Sequence, residues 1–271
     1  MREEPVVYTK KEKIKLVAGC VCIIVACAFL FVFAISTMDH VKGKKEYDKV
    51  RDMAVTEDGG EEEESKKEKE KKMLVVDWDA LYAENSNYAG WLEMEPGISY
   101  PVVKGTDNSF YLNRGFTKEY NINGSIFMHC DCDAAWTSFN TVLYGHNMID
   151  GAMFGSLKRY GDEAFLRENE RICIHVKGGR RVYKVFSCIY TQDMTEPYHV
   201  LFLTDEEKAA FIRTIKGMSS LWIEENAPEQ DDLILTLSTC VGNLGSSKRQ
   251  VVQAKYVGFE PYDSGAAYAG D

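Results

Sequence analysis

The sequence predicts a mainly β domain with peripheral helices, closed or nearly closed into a barrel and preceded by a single N-terminal transmembrane helix. Two observations carry that expectation. Leu16–Met38 contains no formal charge, and at about 1.5 Å per residue such a run crosses a hydrocarbon core of roughly 30 Å. Beyond it, from Leu74 to Tyr262, short runs rich in Val, Ile, Tyr and Phe follow one another with few long helices between them. Composition bounds the rest. With 271 residues, 45% hydrophobic, 12% aromatic and only 6 prolines, the chain can bury a real core and is not collagen-like, mucin-like or wholly disordered. The net charge of −10 argues against nucleic acid as a partner, because phosphate binding needs clustered Lys and Arg. Eight cysteines are too few for a disulfide scaffold.

Residues 1–15 are expected to form a cytoplasmic tail and 16–38 a membrane anchor. A cleaved signal peptide is the competing reading, since Ala34-Ile35-Ser36 loosely resembles a cleavage site. Its apolar stretch would exceed the roughly 7–15 residues usual there. Lysines crowd both flanks (Lys10, Lys11, Lys13 and Lys15 before; Lys42, Lys44, Lys45, Lys49 and Arg51 after), so flank charge favours a cytoplasmic N-terminus only weakly. Residues 39–73, which carry EEEESKKEKEKK at 61–72, read as a charged spacer, either a solvated helix or disordered. Residues 74–262 read as the folded domain and 263–271, small and polar, as a flexible tail. Through residue 73 the chain carries 15 basic and 15 acidic side chains, against 17 and 27 afterwards, so the acidity belongs to the folded domain.

Within that domain Asp77–Ala83 predicts a short helix, followed by Gly90-Trp91-Leu92. Strands are predicted at Ile98–Val103, Ser125–Met128, Thr141–Tyr144, Arg171–Val176, Val182–Tyr190, Leu233–Ser238 and Val251–Phe259. Helical spacing of Met153, Phe154, Leu157, Tyr160 and Phe165 predicts a helix over Gly151–Phe165. Another opens with a capping box at Thr204 and Glu207 and continues through Phe211, Ile212 and Ile215.

Among the cysteines, Cys20, Cys22 and Cys27 lie in the apolar span, and Cys173 and Cys188 read as buried strand residues. Cys240 differs, since it ends the strand Leu233–Thr239 beside the Gly-containing loop Val241–Gly245. A thiol there is exposed enough to react and anchored enough to aim. Cysteine chemistry also needs a proton carrier. His146 leaves the Thr141–Tyr144 strand between Gly145 and Asn147, whereas His40, His175 and His199 sit in less suggestive places. His129-Cys130-Asp131-Cys132-Asp133 lacks a second ligand pair with zinc spacing, so no metal is expected there and the two thiols read as ordinary loop residues. Arg249 opens the strand after Cys240 and returns beside it if the two strands pair across the loop. A permanently charged guanidinium could then steady a developing oxyanion.

Thr236-Leu237-Ser238-Thr239-Cys240 with Arg249-Gln250-Val251-Val252, and Leu143-Tyr144-Gly145-His146-Asn147-Met148, resemble the sortases, specifically class B. Ile98-Ser99-Tyr100-Pro101-Val102, Asp107–Leu112, Gly124–Met128 and Gly151–Phe154 extend the resemblance over residues 74–260. The resemblance implies an eight-stranded sortase-type β-barrel outside a Gram-positive cell, held to the membrane by the N-terminal helix. It implies a cysteine transpeptidase without cofactor. Such an enzyme cleaves a C-terminal sorting signal of NPxTx type after Thr and joins the surface protein to a cross-bridge amine of a peptidoglycan precursor. By the same likeness Cys240 would be the nucleophile, His146 the proton carrier and Arg249 the oxyanion partner. Asn108, Leu112 and Ser238 would line the sorting-signal groove. Val241 departs from the acidic residue that class B members often carry after the cysteine, and His129 and Cys130 replace a common Asp. Two other readings stay open at this point. One is a class B-like pilin polymerase that uses a pilin Lys as acceptor. The other is a non-catalytic, membrane-tethered binding protein on the same barrel, which the complete Cys240, His146 and Arg249 set disfavours.

Overall fold

The computed structural model describes residues 9–57, 74–241 and 247–262. Residues 1–8, the charged run 58–73, the 242–246 part of the loop after Cys240 and the 263–271 tail lie outside the described residues. The chain divides into two units, residues 1–42 and 43–271. In the first, helix α1 (Lys10–Ala54) begins, and its apolar side chains, among them Phe29, Phe31 and Phe33, are exposed. By length and composition this helix could cross a membrane.

The second unit contains the last turns of α1, and here the expectation of a spacer over 39–73 needs correcting. Residues 39–54 are helical, and Tyr47, Val50 and Ala54 are buried in the main core. Their i, i+3, i+7 spacing is an apolar stripe, and its burial outweighs the solvation of the lysines around it. The folded unit therefore starts near residue 43. Strands β1 (Val55–Glu57) and β2 (Leu74–Val76) pair antiparallel. Helix α2 (Trp78–Glu84) follows, its first turn capped by the Asp77 carboxylate on the Ala80 amide at 2.9 Å.

Then come β3 (Tyr88–Met94), β4 (Ile98–Lys104), β5 (Ile126–Met128), β6 (Asn140–Tyr144), α3 (Glu163–Glu168), β7 (Arg171–Val176) and β8 (Gly179–Thr191). The chain ends in α4 (Asp205–Met218), β9 (Ser219–Trp222), β10 (Ile234–Cys240) and β11 (Arg249–Pro261). Eight strands close in the order β3-β4-β5-β6-β10-β11-β8-β7, with β7 returning to β3, while β9 adds to the side of β8. The predicted eight-stranded barrel is thus the observed one, and closure leaves those eight strands no free edge among themselves. Two neighbour pairs, β4–β5 and β6–β10, are parallel.

Trp91, Leu92, Ile126, Leu143, Leu235 and Leu237 fill the main core. Burial of each such side chain contributes about 1.5–3 kcal/mol. A smaller cluster lies under α4, where Phe211 and Ile215 meet Phe139, Val142 and Ile234. The Thr204 cap is as read, since its hydroxyl accepts from the Glu207 amide at 3.2 Å. The helix expected over Gly151–Phe165 is not continuous. Residues 151–156 are turns, a 3-10 turn spans Leu157–Gly161, and α3 starts only at Glu163. Asp162 caps α3 by accepting from the Phe165 amide, so a carboxylate that favours a helix start cuts the apolar stripe in two.

Candidate active site

Three adjacent strands carry the site. In the antiparallel β10–β11 pair Cys240 lies directly opposite Arg249. In the parallel β6–β10 pair Ser238 lies opposite Tyr144. Cys240 and His146 each come two residues after that matched pair, so both emerge at the same end of neighbouring strands about 4.8 Å apart. Arg249, Cys240 and His146 consequently form a row across one end of the barrel wall. Only a parallel partner could do this, because an antiparallel β6 would leave at the opposite end.

All six residues singled out in the sequence, Cys240, His146, Arg249, Asn108, Leu112 and Ser238, line one cavity of about 270 Å³. Tyr144, Phe127 and Met194 complete much of its apolar wall. Cys240 is a free thiol at intermediate exposure, and the other seven cysteines are free as well. Burial pushes the Cys173, Cys188 and Cys132 thiols up, which removes them as nucleophiles.

His146 is held from outside its own strand. Its Nε2 donates to the Leu112 carbonyl oxygen at 2.6 Å, and since a carbonyl only accepts, that nitrogen carries a proton. Leu112 belongs to a 3-10 turn, Phe110–Asn113, whose start is fixed by Asp107. That carboxylate accepts from the Ser109 hydroxyl and amide, both at 2.7 Å, and from the Phe110 amide at 2.8 Å, which lowers its pKa. Gly124 backs the contact at φ +58°, where a Cβ would collide with the Leu112 carbonyl and lie 3.0 Å from the His146 ring.

Several contributors went unread in the sequence. The Tyr47 hydroxyl of α1 donates to the Gly124 carbonyl at 2.6 Å and lies 3.1 Å from the Ser125 hydroxyl. Glu46 accepts from the Thr117 amide and hydroxyl at 2.9 Å and from the Asn121 side chain at 2.8 Å. The end of α1 therefore braces the 113–125 segment behind His146. On the other wall the Tyr198 hydroxyl meets the Ser238 hydroxyl at 2.8 Å, and its ring stacks on Tyr144 at 6.0 Å. The Thr239 hydroxyl donates to the Gly145 carbonyl at 2.8 Å, tying the cysteine strand to the histidine turn. The i, i+3 spacing of Tyr47 and Val50 was the one local signal that could have found the end of α1, and nothing local pointed to Tyr198.

Asn108 uses its side-chain oxygen to accept from the Cys130 amide at 2.8 Å, which places the His129–Asp133 loop directly behind the cavity wall. In that loop single ligand atoms of His129, Cys130 and Asp131 lie within 4.8 Å of one another. His129 Nδ1 already accepts from the Asp131 amide at 3.2 Å, and Cys132 is turned inward toward the Asn140 carbonyl. Burial lowers the His129 pKa.

A thiol, an imidazole and a guanidinium around one half-open cavity are the parts that acyl transfer through a thioester requires. The family model of the sortase domain matches residues 95–257. This chain belongs to the sortase family, class B. Sortase B of Staphylococcus aureus (strain NCTC 8325 / PS 47) is 32% identical over 181 residues, 66% of this chain and 74% of that protein. Sortase B of Listeria monocytogenes serovar 1/2a is 30% identical over 177 residues, 64% of this chain and 71% of the relative. Among solved structures, Bacillus anthracis sortase B in complex with AAEK1 superposes with a TM-score of 0.68 at 31% identity, over 82% of this chain and 99% of that one. A Staphylococcus aureus sortase B–substrate complex gives 0.61 at 31% identity, over 66% and 83%. Sortases are cysteine transpeptidases of the cell envelope, and the cavity lies within the part of the chain that the family model matches.

Proposed function

We propose that this class B sortase is a single-pass membrane protein with a cytoplasmic N-terminus and an extracellular catalytic domain on a Gram-positive cell. It cleaves NPxTx-like sorting signals after Thr and joins the surface protein to a peptidoglycan cross-bridge amine. The observation that carries the reading is the row of Arg249, Cys240 and His146 across β11, β10 and β6 at the mouth of one cavity. The apolar run of α1 supports anchoring.

In this reading the Cys240 thiol proton passes to His146, Sγ attacks the Thr carbonyl carbon, and Arg249 meets the oxyanion as it forms. Collapse breaks the C–N bond while His146 gives a proton to the leaving amine, leaving a thioester on Cys240. The incoming amine attacks that carbonyl and loses a proton to His146, and as the C–S bond breaks that proton returns to Sγ and restores the thiol. His146 must leave the Leu112 carbonyl to reach either amine, so that hydrogen bond belongs to the resting arrangement. Asn108, Leu112 and Ser238 hold the signal peptide along the cavity wall.

The test is full-length protein in detergent incubated with sorting-motif peptides, with and without amine acceptors. A mass increase on Cys240 equal to the acyl fragment is expected, together with ligated product when the amine is present. Cleavage by Cys240→Ala at the wild-type rate would remove the nucleophile assignment. Retained turnover in His146→Ala or Arg249→Ala would remove those roles one at a time.

A further inference from the structure

A second cavity, of about 610 Å³, opens between the last turns of α1 and the 149–159 segment. It shares no lining residue with the catalytic cavity. Its charge runs against that of the domain. Residues 74–271 are strongly acidic, yet Lys44, Arg51, Lys158 and Arg159 line this cavity against only Asp48 and Asp150. Both acids have work within the protein. Asp150 accepts from the Ala152 amide at 3.1 Å, and Asp48 lies 3.8 Å from Arg51.

A second observation points to a ligand. Among the described residues four buried side-chain polar atoms lack a hydrogen-bond partner, and two of them, Arg51 Nε and Ser156 Oγ, belong to residues that line this cavity. Ser156 is only 9% exposed. Leaving such groups unpaired costs about 1–3 kcal/mol each, so two at one place call for an explanation. Guanidinium and ammonium groups only donate, and a hydroxyl can donate as well. Arg51 already donates from one terminal nitrogen to the Ser99 carbonyl at 2.9 Å, which leaves its Nε, and Lys44, Ser156, Lys158 and Arg159 add further donors to the same cavity. They suit an anion with many acceptor oxygens and more than one charge.

We propose that this cavity binds a phosphate-bearing group, and that a membrane headgroup supplies it. Lys44 follows Met38, the end of the apolar run, by six residues. Six residues span at most about 21 Å even when fully extended. If the run crosses the bilayer, the cavity's rim is within reach of lipid phosphates. The source of the phosphate thus rests on the anchoring proposed above, whereas the phosphate chemistry does not. Occupancy would bear on the histidine turn, because Met153 and Gly155 line the cavity and the Phe154 amide donates to the His146 carbonyl at 2.9 Å.

Calorimetry on the full-length chain in a phosphate-free maltoside detergent tests the site with inorganic diphosphate as probe. Wild type should bind it at least tenfold more tightly than malonate, and Lys158→Ala and Ser156→Ala should each weaken binding about fivefold or more. Cys240→Ala should bind like wild type, so failure of the catalytic reading leaves this result untouched. Thermal melts check that each variant is folded. Malonate binding as tightly as diphosphate, or equal affinity in the folded variants, overturns the proposal. Repeating the titration in phosphatidylglycerol nanodiscs separates the sources. A lipid headgroup in the cavity should compete and weaken diphosphate binding in wild type more than in Lys158→Ala. An equal change in both overturns the lipid source and assigns the site to a soluble phosphate compound.

Discussion

Cys240 and Arg249 are held by a different kind of structure from His146. The first two face each other in a continuous antiparallel ladder, where β10 and β11 match residue for residue from Ile234↔Lys255 to Cys240↔Arg249. Their positions follow from backbone register, which a single side-chain change barely moves. His146 has already left β6, and its ring is fixed through the Leu112 carbonyl, the close approach at Gly124 and the hydroxyl of Tyr47. One half of the site is therefore as rigid as the barrel, while the other is only as rigid as a stack of loop contacts. For the proton carrier proposed at His146, which would leave its resting partner to work, the looser mounting is an advantage.

Mutations can break this contrast. Leu237→Ala empties a fully buried position in β10, and the unfolding free energy should fall by about 2–5 kcal/mol in denaturant titrations. At temperatures where the variant stays folded, its turnover should remain near wild type. A large loss of turnover there would mean that the ladder does not insulate Cys240 from its core. Gly124→Val forces a branched side chain onto φ +58° and against Leu112, a strain of about 1–3 kcal/mol. Peptide turnover should drop about 100-fold, as expected when a catalytic group is misplaced. Alkylation of Cys240 by iodoacetamide should continue, so a parallel loss of alkylation would show that both halves move together.

Tyr47→Phe removes only the hydroxyl bonded to the Gly124 carbonyl, which contributes about 1 kcal/mol. A fall in turnover of about fivefold, with the pH–rate profile displaced, is expected. An unchanged profile would leave Tyr47 a merely structural residue. The smallest effect belongs to Asp107→Ala. Hydrogen bonds from Ser109 and Phe110 hold the Asp107 carboxyl below its ordinary 3.8, so its contribution is complete at neutral pH. That contribution fades only as the pH falls through the lowered value. The difference in melting temperature between wild type and variant should persist at pH 7 and vanish in strong acid. A difference that grew on acidification would reverse the assignment.

Much of the barrel was legible because its strands alternate or are dense in β-branched and aromatic residues, as Arg171–Val176 and Ile234–Cys240 show. Strand β3 was harder to read. Tyr88–Met94 is buried along nearly its whole length, so no alternation marks it, and Gly90 interrupts it where Trp136 and His175 approach closely. The last turns of α1 were hidden by their own charge, since KGKKEYDKVRDMA looks solvated unless the buried side chains of Tyr47, Val50 and Ala54 are read as one stripe. His175 was read as a plain strand residue and is one, fully buried between Glu93 at 2.9 Å and Tyr262 at 2.8 Å.

From the sequence alone came the apolar run, the strand that ends in Cys240, and Arg249 at the start of the strand that follows it. Those are local facts, settled by side-chain alternation and chain length. Tertiary structure decided that β6 runs parallel to β10, and so that His146 emerges beside Cys240. It also decided that the end of α1 braces His146 from residues more than 75 positions away in the chain. Neither is written locally, because which strands become neighbours is fixed only when the barrel closes and every backbone donor finds a partner.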